Sequence, residues 1–199
     1  MRILLTGFEP FGSSDINSSW ETAARIEMQS FDSVEVVVRQ LPVSFKRVGE
    51  KIKELLEEIR PDVIIMLGQR SNSSSIDIER IAVNLMDSIN GDNDGYNPEE
   101  VPIHPDAPLA YSSNLPVKSL RDCLTAKGIE AKVSNSAGLY VCNATYYYAL
   151  DEIHRHSLPI KAVFVHLPKL RDELTIDFLV NSVETIIYNC IHLTKNNLK

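Results

Sequence analysis

The chain has 199 residues, of which 44% are hydrophobic and 24% are charged, which suffices for one core of ordinary size and fits a single domain over residues 1–199 better than two. Its 20 basic and 27 acidic side chains give a formal net charge of -7. No basic stripe along the sequence could follow a phosphate backbone, so we expect no nucleic-acid partner.

Short β-branched runs alternate with segments whose apolar residues lie on one helical face. Strands are predicted at residues 2–6, 34–41 and 62–67, with a helix over 44–60 that Pro61 ends. The later elements are a strand-like run at 76–85, a polar segment at 86–109, a helix at 117–127, a strand at 131–134, a helix from about residue 142, a strand at 162–166 and a helix at 175–193. This alternation predicts an α/β fold, an open twisted, mainly parallel sheet with helices on both faces.

The sequence lacks the usual signals for export and for disulfides. It opens on the strand pattern at residues 2–6 instead of a charged leader, and its apolar runs are far shorter than the about 20 residues that cross a bilayer. Three widely spaced cysteines fit free thiols better than a disulfide framework. We therefore expect a cytoplasmic protein with no membrane partner.

Ligands of open parallel sheets bind beyond the carboxyl ends of the strands. The segments that follow successive strands are 7–12, 41–43, 68–69, 137–142 and 166–168. We expect these five segments to meet at one edge of the sheet, so their side chains are the first candidates for chemistry.

Cys142 falls in the first turn of a predicted helix. A helix N-terminus carries about half a positive charge, which lowers the pKa of a thiol from about 8.5 towards neutrality, and its unpaired N–H groups can hold an oxyanion. This position favours a nucleophilic thiolate. The alternative is a buried cysteine that acts as a small hydrophobic residue, which is our interpretation of Cys123 and Cys190.

His166 and Glu79 are candidates for a base and for the group that orients it. His166 follows an apolar run and precedes Pro168, so it should project at the loop edge of the sheet; the alternative is an ordinary residue at a strand end. Glu79 stands among apolar neighbours, where a carboxylate needs a partner. For Glu79 the alternative is an ion pair with Arg80 or an exposed position.

Phe8 and Phe11 flank Pro10 in a predicted loop, where aromatic faces can form a flat slot for a small neutral ring. The scarcity of polar side chains there argues against a zwitterionic amino acid, which would need paired charges. The residues alone thus indicate a thiol hydrolase with a small apolar specificity pocket. The histidines and cysteines do not fall at zinc-ligand spacing, so we expect neither a metal nor an organic cofactor.

Ordered segments along almost the whole chain resemble the pyroglutamyl peptidase type I family, also called pyrrolidone-carboxylate peptidases. They are Thr6-Gly7-Phe8-Glu9-Pro10-Phe11-Gly12, Asn17-Ser18-Ser19-Trp20-Glu21, Leu41-Pro42-Val43, Gly68-Gln69, Glu79-Arg80-Ile81-Ala82-Val83-Asn84, Ser112-Ser113-Asn114-Leu115-Pro116-Val117-Lys118, Ser136-Ala137-Gly138-Leu139-Tyr140-Val141-Cys142-Asn143 and His166-Leu167-Pro168.

The resemblance implies a Cys-His-Glu triad at Cys142, His166 and Glu79. It also implies cleavage of the amide bond after an N-terminal pyroglutamyl residue through a thioester acyl-enzyme. The expected partners are pyroglutamylated peptides and further copies of the chain, in a homotetramer. The substrate-binding side chains that the resemblance implies are Phe8, Phe11 and Gln69.

Two segments depart from the family pattern beside the substrate site. The family reads Gly-Gln-Ala-Gly-Gly-Arg where this chain has Gly68-Gln69-Arg70-Ser71-Asn72-Ser73, which removes two glycines and moves an arginine. It reads Asp-Asp-Ala-Arg-Ile-Pro where this chain has Met86-Asp87-Ser88-Ile89-Asn90-Gly91, which puts Ile89 in the place of an arginine. Two alternatives therefore stay open: the same fold with altered acyl specificity or weak activity, and a non-catalytic binding homologue.

Overall fold

The computed structural model describes residues 1–29, 31 and 34–196. Its elements in chain order are β1 (Arg2–Phe8), α1 (Ser18–Glu27), β2 (Glu35–Leu41), α2 (Phe45–Ile59), β3 (Val63–Arg70), β4 (Ile76–Glu79), β5 (Ile81–Val83), β6 (Ala110–Ser112), α3 (Val117–Thr125), β7 (Ala131–Ser134), α4 (Val141–Arg155), β8 (Lys161–Pro168) and α5 (Ile176–Asn196).

Capping residues determine where the first two helices begin and end. The Ser44 side chain accepts the N–H of Arg47 at the start of α2, and Arg60 ends this helix in the left-handed conformation just before Pro61. Asn17 caps α1 through a bond to a backbone N–H in the same manner. The hydrophobic pattern does not predict α1, because this helix has only ten residues and lies in a Ser-rich stretch.

The central sheet has six strands in the order β2-β1-β3-β8-β4-β7. Strands β2, β1, β3 and β8 are parallel, whereas β4 is antiparallel to β8 and β7 is parallel to β4. The mainly parallel sheet with helices on both faces is therefore confirmed. Segment 137–142 was expected to follow the carboxyl end of a parallel strand, and this is wrong because β7 runs antiparallel to β8. After β7 the chain turns back towards the edge where the other four segments lie, and Gly138 in this turn has φ +80°.

The predicted strand-like run at 76–85 is two strands in different sheets. β4 belongs to the central sheet, where Arg80 continues its pairing by donating its N–H to Ser134 O. β5 then leaves to pair with β6 in a separate two-stranded ribbon. The polar segment between β5 and β6 contacts the chain at the start of α4, where Asp87 donates its N–H to Leu139 O and the Tyr140 hydroxyl donates to Gly91 O.

The alternation of side chains along each strand divides the core into two layers. On β3, Ile65 and Leu67 pack with residues of α1, α3 and α5, whereas Ile64 and Met66 pack with residues of α2 and α4. Gly68 continues the second series and therefore faces α4. Among the described residues, no helix has both the length and the apolar character that a membrane span requires.

Candidate active site

The register of the sheet brings four positions to the face covered by α4. Gly68 lies beside His166 on one side, and Asp77 lies opposite His166 on the other. Glu79 follows Asp77 by two residues on β4 and therefore shares its face. The first turn of α4 packs here, and a Cβ atom built on Gly68 would lie 3.0 Å from Cys142 Sγ.

The imidazole of His166 is paired with the carboxylate of Glu79 instead of standing free at a strand end. Nδ1 of His166 lies 2.8 Å from Oε1 of Glu79, and both side chains are buried. Burial lowers the pKa of His166 below its usual value, against the opposing hydrogen bond and charge of Glu79, and the charge of Arg70 lowers it further. The histidine is therefore neutral at neutral pH. With the Nδ1 proton directed to the carboxylate, Nε2 is the nitrogen that can accept a proton.

Burial raises the pKa of the Cys142 thiol to about 12, although the charge of Arg70 acts in the opposite direction. The thiol pKa is therefore raised and not depressed as the helix N-terminus predicts, because the loss of hydration outweighs the charge of Arg70 and the backbone hydrogen bond. A raised thiol pKa and a lowered imidazole pKa both favour the neutral thiol and neutral imidazole over the ion pair. The neutral pair is therefore the favoured resting state.

A cavity of about 300 Å³ opens beside Cys142 and His166. Each of the five predicted segments contributes at least one residue to the wall of this cavity. The prediction that they meet at one edge of the sheet is therefore confirmed. The residues that line it are Phe8, Phe11, Asn17, Val43, Gln69, Arg70, Ser71, Asn72, Ala137, Gly138, Tyr140, Val141, Cys142 and His166.

Both predicted aromatic residues line this cavity, but only one of them lies in a loop. Phe8 is the last residue of β1, with 2% of its surface exposed, and its ring centroid lies 6.4 Å from that of Phe164. Phe11 lies in the loop that follows and packs at 6.3 Å from the ring of Tyr140. The loop position expected for Phe8 is therefore wrong, since the strand continues two residues farther than its apolar run.

Gln69 contributes to the cavity wall while its amide also holds neighbouring backbone. Its Oε1 accepts the N–H of Ser18 at 2.8 Å, which satisfies a donor at the start of α1. Its Nε2 donates to Ser71 Oγ at 3.3 Å. The side chain is thus fixed in orientation at the edge of the cavity.

The residues that depart from the family pattern take different positions around the site. Ser71 and Asn72 line the cavity, and Ser73 is buried outside its wall. Ile89 is 93% exposed and lines a neighbouring cavity of about 810 Å³, which shares Phe11 with the first. The changes at Ser71 and Asn72 therefore alter the wall of the cavity beside Cys142, whereas Ile89 alters the neighbouring cavity.

Residues 91–94 of the polar segment, which we call the brace, support the loop walls. The Tyr140 hydroxyl donates to Gly91 O at 3.0 Å, and Asn93 Nδ2 donates to Pro10 O at 2.9 Å. The two loops that carry the aromatic wall are therefore tied to one segment.

Sequence reasoning missed Arg70 and Asp77 as parts of this site. Arg70 contacts the carboxylates of both Asp77 and Glu79. A usable signal was present, because two carboxylates two residues apart in an apolar strand share one face and require a cation. No cluster of three or more potential metal-ligating His, Cys, Asp or Glu side chains occurs in the described part of the chain.

A partly buried thiol that shares a cavity with a neutral imidazole, which a carboxylate holds, on an α/β sheet, is the arrangement of a cysteine-type peptidase. The family model described as pyroglutamyl peptidase, peptidase C15, matches residues 1–191. The pyrrolidone-carboxylate peptidase of Thermococcus onnurineus is 41% identical over 195 residues, which cover 94% of this chain and 97% of that protein. The one of Bacillus thuringiensis is 37% identical over 171 residues, covering 86% and 80%.

Solved structures agree with these sequence matches. The pyrrolidone carboxyl peptidase of Thermococcus litoralis superposes with a TM-score of 0.94 at 34% identity, covering 98% of this chain and 96% of that one. The pyroglutamyl peptidase I of Bacillus amyloliquefaciens gives 0.89 at 33% identity, covering 93% and 94%. The chain belongs to the pyroglutamyl peptidase family.

Proposed function

We propose that this chain hydrolyses the amide bond after an N-terminal pyroglutamyl residue, with Cys142 as nucleophile, His166 as base and Glu79 as the group that orients the imidazole. The observation that carries the proposal is the 2.8 Å contact between His166 Nδ1 and Glu79 Oε1, at a cavity that Cys142 also lines. The names of the relatives support the substrate class, since they are peptidases of pyroglutamyl, or pyrrolidone-carboxylate, residues.

Because the thiol and the imidazole are both neutral before the reaction, the thiol proton is transferred during nucleophilic attack. As Cys142 Sγ attacks the carbonyl carbon of the pyroglutamyl residue, His166 Nε2 takes the thiol proton and Glu79 stabilises the imidazolium that forms. The negative oxygen of the tetrahedral intermediate needs donors. The first turn of α4 can supply backbone N–H groups, because Tyr140 at its N-cap makes no side-chain capping bond.

Collapse of this intermediate breaks the C–N bond. The imidazolium of His166 gives its proton to the leaving amine, and the pyroglutamyl group remains on Cys142 as a thioester. Water then attacks the thioester while His166 takes one of its protons, and the thiolate of Cys142 leaves and recovers that proton. The products are free pyroglutamate and the shortened peptide.

The wall of the cavity fits the uncharged lactam ring of a pyroglutamyl residue better than the charged amino group of an ordinary N-terminus. A pyroglutamyl ring carries no ammonium group, so the rings of Phe8 and Phe11 can cover it without leaving a charge unpaired. The volume of about 300 Å³ lies at the small end of ligand cavities. We infer that Gln69 supports this wall through its fixed amide.

Hydrolysis of a pyroglutamyl chromogenic amide tests the proposal. Cys142→Ser should lose at least about a thousandfold in kcat/KM while folding normally, because the hydroxyl is a far weaker nucleophile here. Cys123→Ala is the matched control, since Cys123 is another free thiol of this chain but lies on α3. Turnover by Cys142→Ser at the wild-type rate, or turnover that thiol alkylation does not inhibit, would contradict the role of Cys142.

An altered acyl specificity is the second candidate, favoured by the side chains of Ser71 and Asn72 in the cavity wall. Comparison of pyroglutamyl, prolyl and N-acetyl amides separates the two functions. We expect the pyroglutamyl amide to give the highest kcat/KM; a higher value for another acyl group would favour the second candidate, and binding without turnover would favour a non-catalytic homologue.

We also propose that residues 1–199 form one catalytic domain that works in the cytoplasm as a homotetramer. Three free cysteines support a reducing compartment. The tetramer follows from the resemblance to the family. Light scattering across a range of protein concentrations measures the mass, and a stable monomer would contradict this part of the proposal.

A further inference from the structure

Two buried carboxylates stand side by side on β4. The side chains of Asp77 and Glu79 are both fully buried, and they point to the same face of the sheet. Two carboxylates this close together in a site of low polarity repel each other, so a cation nearby stabilises them. The residue that meets both is Arg70, at the end of β3, with Nη1 2.7 Å from Asp77 Oδ2 and Nη2 3.0 Å from Glu79 Oε1.

The guanidinium of Arg70 has one further contact, because its Nη2 also donates to Ser136 O at 2.9 Å. Asp77 is itself held, because Ser75 Oγ donates to its Oδ1 at 2.7 Å. Lys132 also approaches Asp77, at 3.5 Å, but its side chain is 60% exposed and its charge is well hydrated. Arg70 is therefore the cation that Asp77 and Glu79 share.

Glu79 contacts both Arg70 and His166 through the same carboxylate oxygen. Oε1 of Glu79 receives both Arg70 Nη2 at 3.0 Å and His166 Nδ1 at 2.8 Å. Its other oxygen, Oε2, is buried and has no hydrogen-bond partner in the described residues. The orientation of this carboxylate thus depends on Arg70 as well as on His166.

We propose that Arg70, anchored by Asp77, is a positioning residue that keeps the carboxylate of Glu79 directed at His166 Nδ1. The inference rests on the proposed function, because it gives His166 the role of the base. Arg70 acts through Glu79 and needs no contact with the substrate, although part of it lines the cavity.

The charges around His166 give the sign of the expected pH effect. Glu79 and Asp77 face it from β4, Arg70 from β3 and Cys142 from α4, and the positive charge of Arg70 lowers the pKa of both the imidazole and the thiol. Without Arg70 both pKa values rise. The acidic limb of the kcat/KM profile should therefore move to higher pH, and transfer of the thiol proton should become slower.

The experiment compares Arg70→Gln and Arg70→Lys with Arg2→Gln as the matched control. Arg2 also bonds to a carboxylate, that of Glu35, and to a backbone carbonyl, that of Ile59, but it lies at the first residue of β1. Each variant is measured for kcat, KM, the pH profile of kcat/KM and the pH dependence of Cys142 alkylation, which requires no turnover.

Arg70→Gln should lower kcat at least tenfold with a smaller change in KM, and should move the acidic limb to higher pH. Arg70→Lys keeps the positive charge but cannot contact both carboxylates. Its acidic limb should therefore lie at the wild-type pH, whereas its kcat should lie between those of Arg70→Gln and the wild type. Arg2→Gln should leave all four readouts unchanged. An unchanged pH profile, kcat and alkylation rate in Arg70→Gln would overturn the inference.

A double variant separates positioning from mere neutralisation of buried charge. Asp77→Asn removes one of the two carboxylates, so Arg70→Gln with Asp77→Asn should recover most of the thermal stability that Arg70→Gln alone loses. If Arg70 positions Glu79, the double variant still shows the altered pH profile and slow alkylation. If it regains wild-type kcat and the wild-type profile, Arg70 is only a structural partner of Asp77.

Two more variants keep this inference distinct from the proposed function. Glu79→Gln and His166→Ala should each abolish most hydrolysis of the pyroglutamyl amide. If both retain wild-type turnover, the proposed triad fails. If both lose turnover and Arg70→Gln does not, only the role of Arg70 fails.

Discussion

Gly68 determines where the thiol can lie. A Cβ atom at this position would stand 2.8 Å from the ring of Phe164, which is closer than Cβ atoms come to side chains, and 3.0 Å from Cys142 Sγ, which is tighter than most such contacts. Gly68 is also the register neighbour of His166 on the adjacent strand. The absence of a side chain therefore lets the first turn of α4 approach the sheet next to the imidazole.

Gly68→Ala should lower kcat/KM at least tenfold, because the added methyl group displaces either the ring of Phe164 or the thiol. The measurement is kcat/KM together with the thermal midpoint. Gly49→Ala is the matched control, since a Cβ atom there also meets an aromatic ring at 2.8 Å, that of Tyr148, away from the thiol. Equal losses of activity in both variants at equal stability would show that the position beside Cys142 is not special.

At the scale of elements, the brace links the loop after β1 to the start of α4. Asp92 organises it, with its carboxylate accepting the backbone N–H groups of Phe45, Asp94 and Tyr96. Asn93 then reaches the loop that carries the aromatic wall. A long polar segment in a compact protein is often functional, and here its contacts support the walls of the cavity.

Asn93→Ala should raise KM several-fold, on the order of three to ten, with kcat within about twofold, because it loosens the wall and leaves the thiol untouched. Asn93 Nδ2 donates to Pro10 O at 2.9 Å and to Glu9 Oε1 at 3.1 Å. Asn97→Ala is the control, since Asn97 accepts the N–H of Gly91 at 3.0 Å within the same segment. Steady-state kinetics on the pyroglutamyl amide measures both. A fall in kcat with constant KM in Asn93→Ala would contradict this role.

Some elements were predictable because local signals determine them. The period of α2 and the stop at Pro61 predict that helix within one or two residues, and the apolar run of β3 is evident. The reversed direction of β4 was not predictable, because pairing partners lie far apart in sequence and a strand pattern carries no direction. For the same reason the partner of Glu79 could be guessed as Arg80, whereas the fold supplies Arg70 across a turn.

At the scale of the whole molecule, both layers of the core hold ionisable groups in neutral form. Burial raises the pKa of Cys142 on α4 and of Cys190 on α5 to about 12. It also raises the pKa of the hydroxyls of Tyr146 and Tyr147. The unfolded chain releases these protons at lower pH than the folded protein does, so the stability that they contribute is complete below the unfolded pKa values and is lost as the pH rises.

We therefore expect the free energy of unfolding to fall between about pH 9 and pH 11, and to fall less steeply in Cys190→Ala than in the wild type. Cys190 is fully buried, so its thiol stays protonated in the folded state while the unfolded thiol ionises near its ordinary pKa of about 8.5. Chemical denaturation at several pH values measures the slope. Cys123→Ala should change it less, since burial raises the pKa of this partly exposed thiol by a smaller amount. The cavity that Cys190→Ala leaves in place of the sulfur lowers stability equally at every pH, so only the slope reports the thiol. Identical slopes in the wild type and Cys190→Ala would show that this proton is not linked to folding.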